Sequence, residues 1–148
     1  MRTLWGVLLI LVLGAGQAWA ALGETETSVS ADRQFLKAQI RVEVHEAYRL
    51  HQITDATGMV VREYVSPGGK VFGISWHGPY LPNMQQLLGS YFTYLQQFAQ
   101  AQTARQGGPL VIEKDNFVFT SGGHMRWRNG RAYAPSLIPT NLSPEVVQ

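Results

Sequence analysis

Ser75 and His77 stand two residues apart in FGISWHG, so in an extended segment both side chains leave the same side of the chain. A serine nucleophile beside its base would use that arrangement. The pattern goes no further, because the stretch is not a G-x-S-x-G elbow and nothing nearby in sequence offers the orienting acid or the oxyanion donors that acyl transfer needs. It reads as a turn, a strand and the approach to a helix. Metal chemistry is the second option: the chain has four histidines, His45, His51, His77 and His124, and its thioethers include Met84 and Met125. Their spacing contains no H-x-H and no H-x-x-x-H, and there is no cysteine, so ligands would have to converge through folding alone. No metal or other cofactor is expected.

The third candidate starts at Ser121-Gly122-Gly123-His124, where paired glycines could present backbone N–H groups to an anion or simply turn one strand into the next. Asn129-Gly130 follows, the strongest short hairpin signal in the chain. A two-residue loop there opposes Trp127 to Ala132 and Arg126 to Tyr133. One face then carries Met125, Trp127, Ala132 and Ala134, and the other carries His124, Arg126, Arg128, Arg131 and Tyr133. That second face is a cationic, partly aromatic strip suited to phosphate, sulfate, an acidic polysaccharide or an acidic protein through bidentate guanidinium contacts. A solvated strand face is the plainer alternative. The uncharged, glutamine-rich side of the helix described next could also pack on a partner or a carbohydrate, or be exposed helix.

The elements that must position these groups come from period and turn chemistry. Met84, Leu87, Leu88, Tyr91, Leu95 and Phe98 form one apolar stripe, which predicts a helix over residues 83–103 with Asn83 as its cap and Gln86 completing a capping box. Burying six side chains cannot offset the ordering of some twenty backbone residues, so this helix must lie on an apolar sheet. From Tyr48 the period is two, Asp55-Ala56-Thr57-Gly58 is a type I turn, and Met59 to Val65 returns. Ser66-Pro67-Gly68-Gly69 repeats the device before a strand from Lys70 to Trp76. Two registers stay open for that hairpin: a three-residue loop pairs Tyr64 with Phe72 and Val60 with Trp76, while a four-residue loop pairs Val61 with Ile74 and Met59 with Trp76. Leu110 to Glu113 and Phe117 to Thr120 read as short strands, Ser143-Pro144-Glu145 as a capped final turn, and Ser30 as the cap of a short helix carrying Phe35, Leu36 and Ile40.

The N-terminus, MRTLWGVLLILVLGAGQAWA, has Arg2, an apolar run from Leu4 to Leu13 and the small-x-small triplet Ala18-Trp19-Ala20. Residues 1–20 are therefore expected to be a secretory signal peptide, residues 21–31 a flexible leader, and residues 32–148 a single domain. The glycines after Leu13 interrupt the run before it reaches the length of a membrane span, so no transmembrane segment is expected after cleavage. Loss of Arg2 from 12 basic residues against 10 acidic ones leaves the rest close to neutral, and no nucleic-acid partner is expected. With no cysteine the core must hold the fold unaided, and four Trp, six Tyr and six Phe supply the material.

VREYVSPGGKVFGISWHGP followed by LLGSYF, then SGGHMR and GRAYAPSLIP, resembles an exported bacterial family known as domain of unknown function 2844. The likeness runs from about Ala31 to the C-terminus, with Asn83 standing where the pattern would have an acidic residue; both cap a helix. The resemblance implies export and no assigned chemistry. The expected architecture is α+β, an antiparallel sheet of six or seven strands with one main helix on one face. The expected function is a non-enzymatic cell-envelope binding or interaction module, in the periplasm or outside the cell, whose partner is an acidic polymer or an envelope protein. The alternative is an envelope hydrolase using His124 or the Ser75/His77 pair.

Overall fold

The computed structural model describes residues 21–26, 39–101 and 108–148. The expected signal peptide, Ser30, Phe35 and Leu36 lie outside these residues. The chain forms one antiparallel sheet from β1 (Gln39–Val44), β2 (Arg49–Thr54), β3 (Val60–Val65), β4 (Val71–Gly78), β5 (Leu110–Lys114), β6 (Phe117–His124) and β7 (Trp127–Tyr133). The strand order is β1-β2-β3-β4-β7-β6-β5, so the expected α+β architecture holds at seven strands. β1 was not foreseen as a strand: Ile40, expected on a helix, pairs with Ile53 of β2.

Both predicted turns are present. Gly58 N–H donates to Asp55 O, and the Asp55 carboxylate accepts from the Thr57 and Met59 amides. Gly69 N–H donates to Ser66 O, with Gly69 in the left-handed region. The four-residue-loop register proposed for β3 and β4 occurs at no pair, and the three-residue one holds only next to the turn. Val65 pairs with Val71, as the three-residue loop requires, but Tyr64 pairs with Gly73 and Val61 with Trp76. A bulge therefore leaves Phe72 as an extra residue in β4, and side-chain alternation changes phase there. Val61, Val65, Val71, Ile74 and Trp76 all reach one core cluster, while Tyr64 and Phe72 reach a second with Val147. The conflict between turn chemistry and apolar patterning is resolved by the bulge, which satisfies both.

The helix lies on the first of these faces as two pieces, α1 (Met84–Leu88) and α2 (Phe92–Ala101), joined by a 3₁₀ turn at Gly89–Tyr91. Asn83 caps it as expected, its side chain accepting from Gln86 N–H at 3.1 Å. Gly89 has φ 54°, and a Cβ there would meet the Ala21 methyl at 2.5 Å. Ala21 and Leu22 are buried, Leu22 N–H donates to Leu87 O, and Glu26 N–H donates to Gly69 O. Residues 21–26 are thus built into the domain, a departure from the expected flexible leader: two apolar side chains at its start have a core to fill.

The opposite sheet face is crossed by the C-terminal segment. A 3₁₀ turn at Pro135–Leu137 leads away from β7, and a second at Pro144–Val146 is capped by the Ser143 hydroxyl, as predicted. Val147 is fully buried against Gly73, where a Cβ would come within 2.5 Å of its Cγ2. The helix occupies one face of the sheet and the tail the other.

The last hairpin is not where the turn signals placed it. Ser121, Gly122 and Gly123 belong to β6, Asn129 and Gly130 to β7, and the reversal falls at Met125-Arg126, with His124 opposite Trp127. The reason lies at Gly130, where a Cβ would sit 2.3 Å from Trp76 Cζ2 and 2.5 Å from Thr120 O. Glycine is needed there for the close approach of an indole, so the Asn-Gly pair is a strand feature and not a turn.

Candidate functional site

Cross-strand pairing builds a polar patch on the tail-bearing face. Arg62, Ser75, Arg131 and Thr120 are successive partners across β3, β4, β7 and β6. His77, Asn129 and Gly122 form the adjoining row. Directly opposed side chains in an antiparallel sheet lie about 5 Å apart, so each row is a line of groups within mutual reach.

Ser75, His77, Thr120, Asn129, Arg131 and Gln148, with Gly122, Gly130, Trp76 and Pro109, line an open cavity of about 410 Å³. The tail contributes Gln148 to the lining. Ser75 Oγ donates to Gln148 O at 2.9 Å, and Arg131 Nη1 donates to Val147 O at 3.2 Å. Two further donors converge on Gln148 O, Tyr64 Oη at 2.7 Å and Arg62 Nη1 at 3.2 Å. The Arg131 guanidinium lies 5.8 Å from the Tyr133 ring centroid, which fixes its plane with a cation–π contact. His77 packs on Trp127, ring centroids 6.0 Å apart. Burial, and then the charge of Arg62, hold its imidazole below its usual pKa, so it is neutral at pH 7.

No aspartate or glutamate among the described residues lines this cavity, and the sequence has none from Asn116 to Pro144. The chemistry on offer is therefore a fixed cation, two hydroxyls, a carboxamide and a neutral imidazole. These are the groups that hold a carboxylate, phosphate or sulfate. The serine hydroxyl is committed to a main-chain oxygen, and no aspartate or glutamate among the described residues lines the cavity to orient His77 as a base.

The expected cationic strip is divided. Arg131 and Tyr133 share the cavity face, with Arg131 in its wall. His124, Arg126 and Arg128 are exposed at the hairpin tip, Arg126 in the turn itself and Arg128 one residue out of phase with Arg131. The misplaced turn had put all five on one side. In its place the structure brings Arg131 together with Ser75 and His77, which sequence reading had kept in separate candidates. Thr120, Asn129 and Gln148 were missed; Asn129 was hidden by its turn signature, and no local pattern marks Gln148. The histidines diverge. His45 stacks on Tyr48 at 4.4 Å, His51 is buried with its Nε2 3.1 Å from Glu26 Oε1, and no group of three or more metal-ligating side chains occurs among the described residues.

The chain belongs to the family described as Protein of unknown function (DUF2844), whose model matches residues 18–147. No curated protein and no solved structure matches it. Among the described residues no helix is long and apolar enough to cross a membrane.

Proposed function

We propose, starting from a family without assigned chemistry, that this chain is an exported, non-enzymatic binding protein of the cell envelope that holds a small anionic group in the cavity between β4, β7 and β6. The observation that carries this reading is Arg131, a cation 5.8 Å from the Tyr133 ring centroid and flanked by Ser75, Thr120, Asn129 and His77 in a cavity of about 410 Å³ with no aspartate or glutamate among its described lining residues. That volume is in the range of small-molecule sites. Export rests on the hydropathy of residues 1–20. The hydrolase alternative has less support, since Ser75 points its proton at Gln148 O and the exposed His124 is not among the residues that line the cavity.

Titrating the purified protein with inorganic phosphate, sulfate and succinate while following tryptophan fluorescence tests the proposal, because Trp76 borders the cavity. Saturable binding that falls about tenfold or more in Arg131→Gln and in the paired variant Thr120→Val with Asn129→Ala supports it. Absence of binding by all three anions in the wild type sinks it, as does equal binding in both variants. Ester or peptide hydrolysis abolished by Ser75→Ala would establish the alternative instead.

A further inference from the structure

The hairpin tip is a second surface, adjoining the cavity where Trp127 packs on His77, and its composition is distinctive. Met125 is 96% exposed and Trp127 44%, and they alternate with His124, Arg126 and Arg128, all exposed. β5 leaves β6 after Ser121, and β4 leaves β7 after Arg128, so the tip projects past its neighbouring strands. The same end of the sheet carries the end of β4, where Tyr80 is 39% exposed and Leu81 52%. Asp55, in the turn at this end, has its carboxylate bonded to Tyr80 Oη, Thr57 and Met59.

We infer that this end of the molecule docks on an anionic bilayer surface, with Met125 and Trp127 entering the interfacial layer and Arg126 and Arg128 facing lipid phosphates. The shape favours lipid over protein: a fully exposed methionine on a convex two-residue turn needs a matching pocket in a folded partner, whereas a bilayer deforms around it. Tryptophan and tyrosine favour the interface, and arginine stems lie along apolar surface while their heads remain at phosphate depth. Two arginines in a stretch without acidic residues supply the matching charge.

The test is vesicle partitioning of the chain, comparing wild type with variants that share the same N-terminus, so any contribution from residues 1–20 cancels. Phosphatidylglycerol–phosphatidylcholine vesicles are expected to bind the protein and shift its tryptophan emission to the blue, a shift that Trp127→Phe removes. Met125→Asp, and separately Arg126→Ser with Arg128→Ser, should each weaken partitioning about tenfold or more, with circular dichroism unchanged. Pure phosphatidylcholine should bind weakly, and salt should weaken the anionic case. Equal binding by Met125→Asp overturns the inference, as does binding to soluble heparin with no emission shift on vesicles, which would mark the tip as a polyanion or protein contact.

Discussion

Ser75 donates its hydroxyl proton to the main-chain oxygen of Gln148, a partner 73 residues further along the chain. That one hydrogen bond joins the fourth strand to the tail and defines a wall of the cavity. Tyr64 strengthens the junction from both directions, its hydroxyl donating to Gln148 O and accepting from Gln148 N–H at 3.1 Å. The tail is thus a structural layer, and the cavity it walls exists only while it is docked.

Gly73 should be intolerant of a side chain for the same reason. A Cβ at that position lies 2.5 Å from Val147 Cγ2, so Gly73→Ala is expected to cost about 1–3 kcal/mol through overpacking. Val147→Ala should cost about as much by leaving a buried void. Together they should cost less than their sum by about 1 kcal/mol or more, because the new methyl occupies the space the valine vacates. Urea denaturation of the four proteins measures the coupling, and strict additivity would show that Val147 does not rest on Gly73.

The misplaced turn gives a second contrast. Gly130→Ala brings a methyl against the Trp76 indole and the Thr120 carbonyl, both closer than 3 Å, and should cost about 3 kcal/mol. Asn129→Thr replaces an exposed strand residue with a good strand former and should stay within about 0.5 kcal/mol of wild type. An Asn-Gly turn would reverse the second outcome, since a β-branched residue resists the positive φ such a turn demands. Melting temperatures of the two variants decide between the geometries.

The contrast also shows what the sequence carried and what it hid. Local rules succeeded where a signal depends on its own neighbours: the Asp55 and Ser66 turns, the Asn83 cap, the apolar stripe from Met84 to Phe98. They failed where a distant residue sets the outcome. Trp76 lies across Gly130 and makes a strand of a turn motif, and Ala21 sits against Gly89 and breaks a helix whose stripe is continuous in sequence. The cavity was half legible for this reason. Ser75, His77 and Arg131 were each noticed, yet their meeting depends on β4 pairing with β7, a contact between strands separated by the helix and two further strands.

Asp55 should confer a pH-dependent share of the stability. Burial alone would raise its pKa, but hydrogen bonds from the Thr57 hydroxyl, Tyr80, and the Met59 and Thr57 amides outweigh that and hold it below the usual aspartate value. A lowered folded-state pKa stabilises above the unfolded value of about 3.9, and the contribution is lost as pH falls through the folded one. The stability gap between wild type and Asp55→Asn is therefore expected to be constant above about pH 5 and to close on further acidification. Denaturant midpoints for the two proteins across that range measure it. A gap that widened in acid would mean the turn does not need the carboxylate.

His77 gives the cavity its own pH signature. Its folded-state pKa lies below the usual 6.5 because burial and the charge of Arg62 both disfavour the imidazolium. Without ligand, stability should be unaffected by His77 above that usual value and should decline as pH falls through it, because the unfolded chain takes up the proton first. An anion bound beside Arg131 reverses the balance at the ring, since a negative charge within reach favours the protonated form. Binding then takes up a proton, and affinity for phosphate or succinate should rise as pH falls from about 7 to about 5, by no more than tenfold per unit for a single group. Succinate's own carboxyls titrate near the lower limit and phosphate's second proton near the upper, so the slope attributable to the protein is the difference between wild type and His77→Asn measured with the same anion. That difference should vanish at the alkaline end and grow towards acid. Parallel profiles for the two proteins would place His77 out of reach of the ligand and confine the site to Arg131, Thr120 and Asn129.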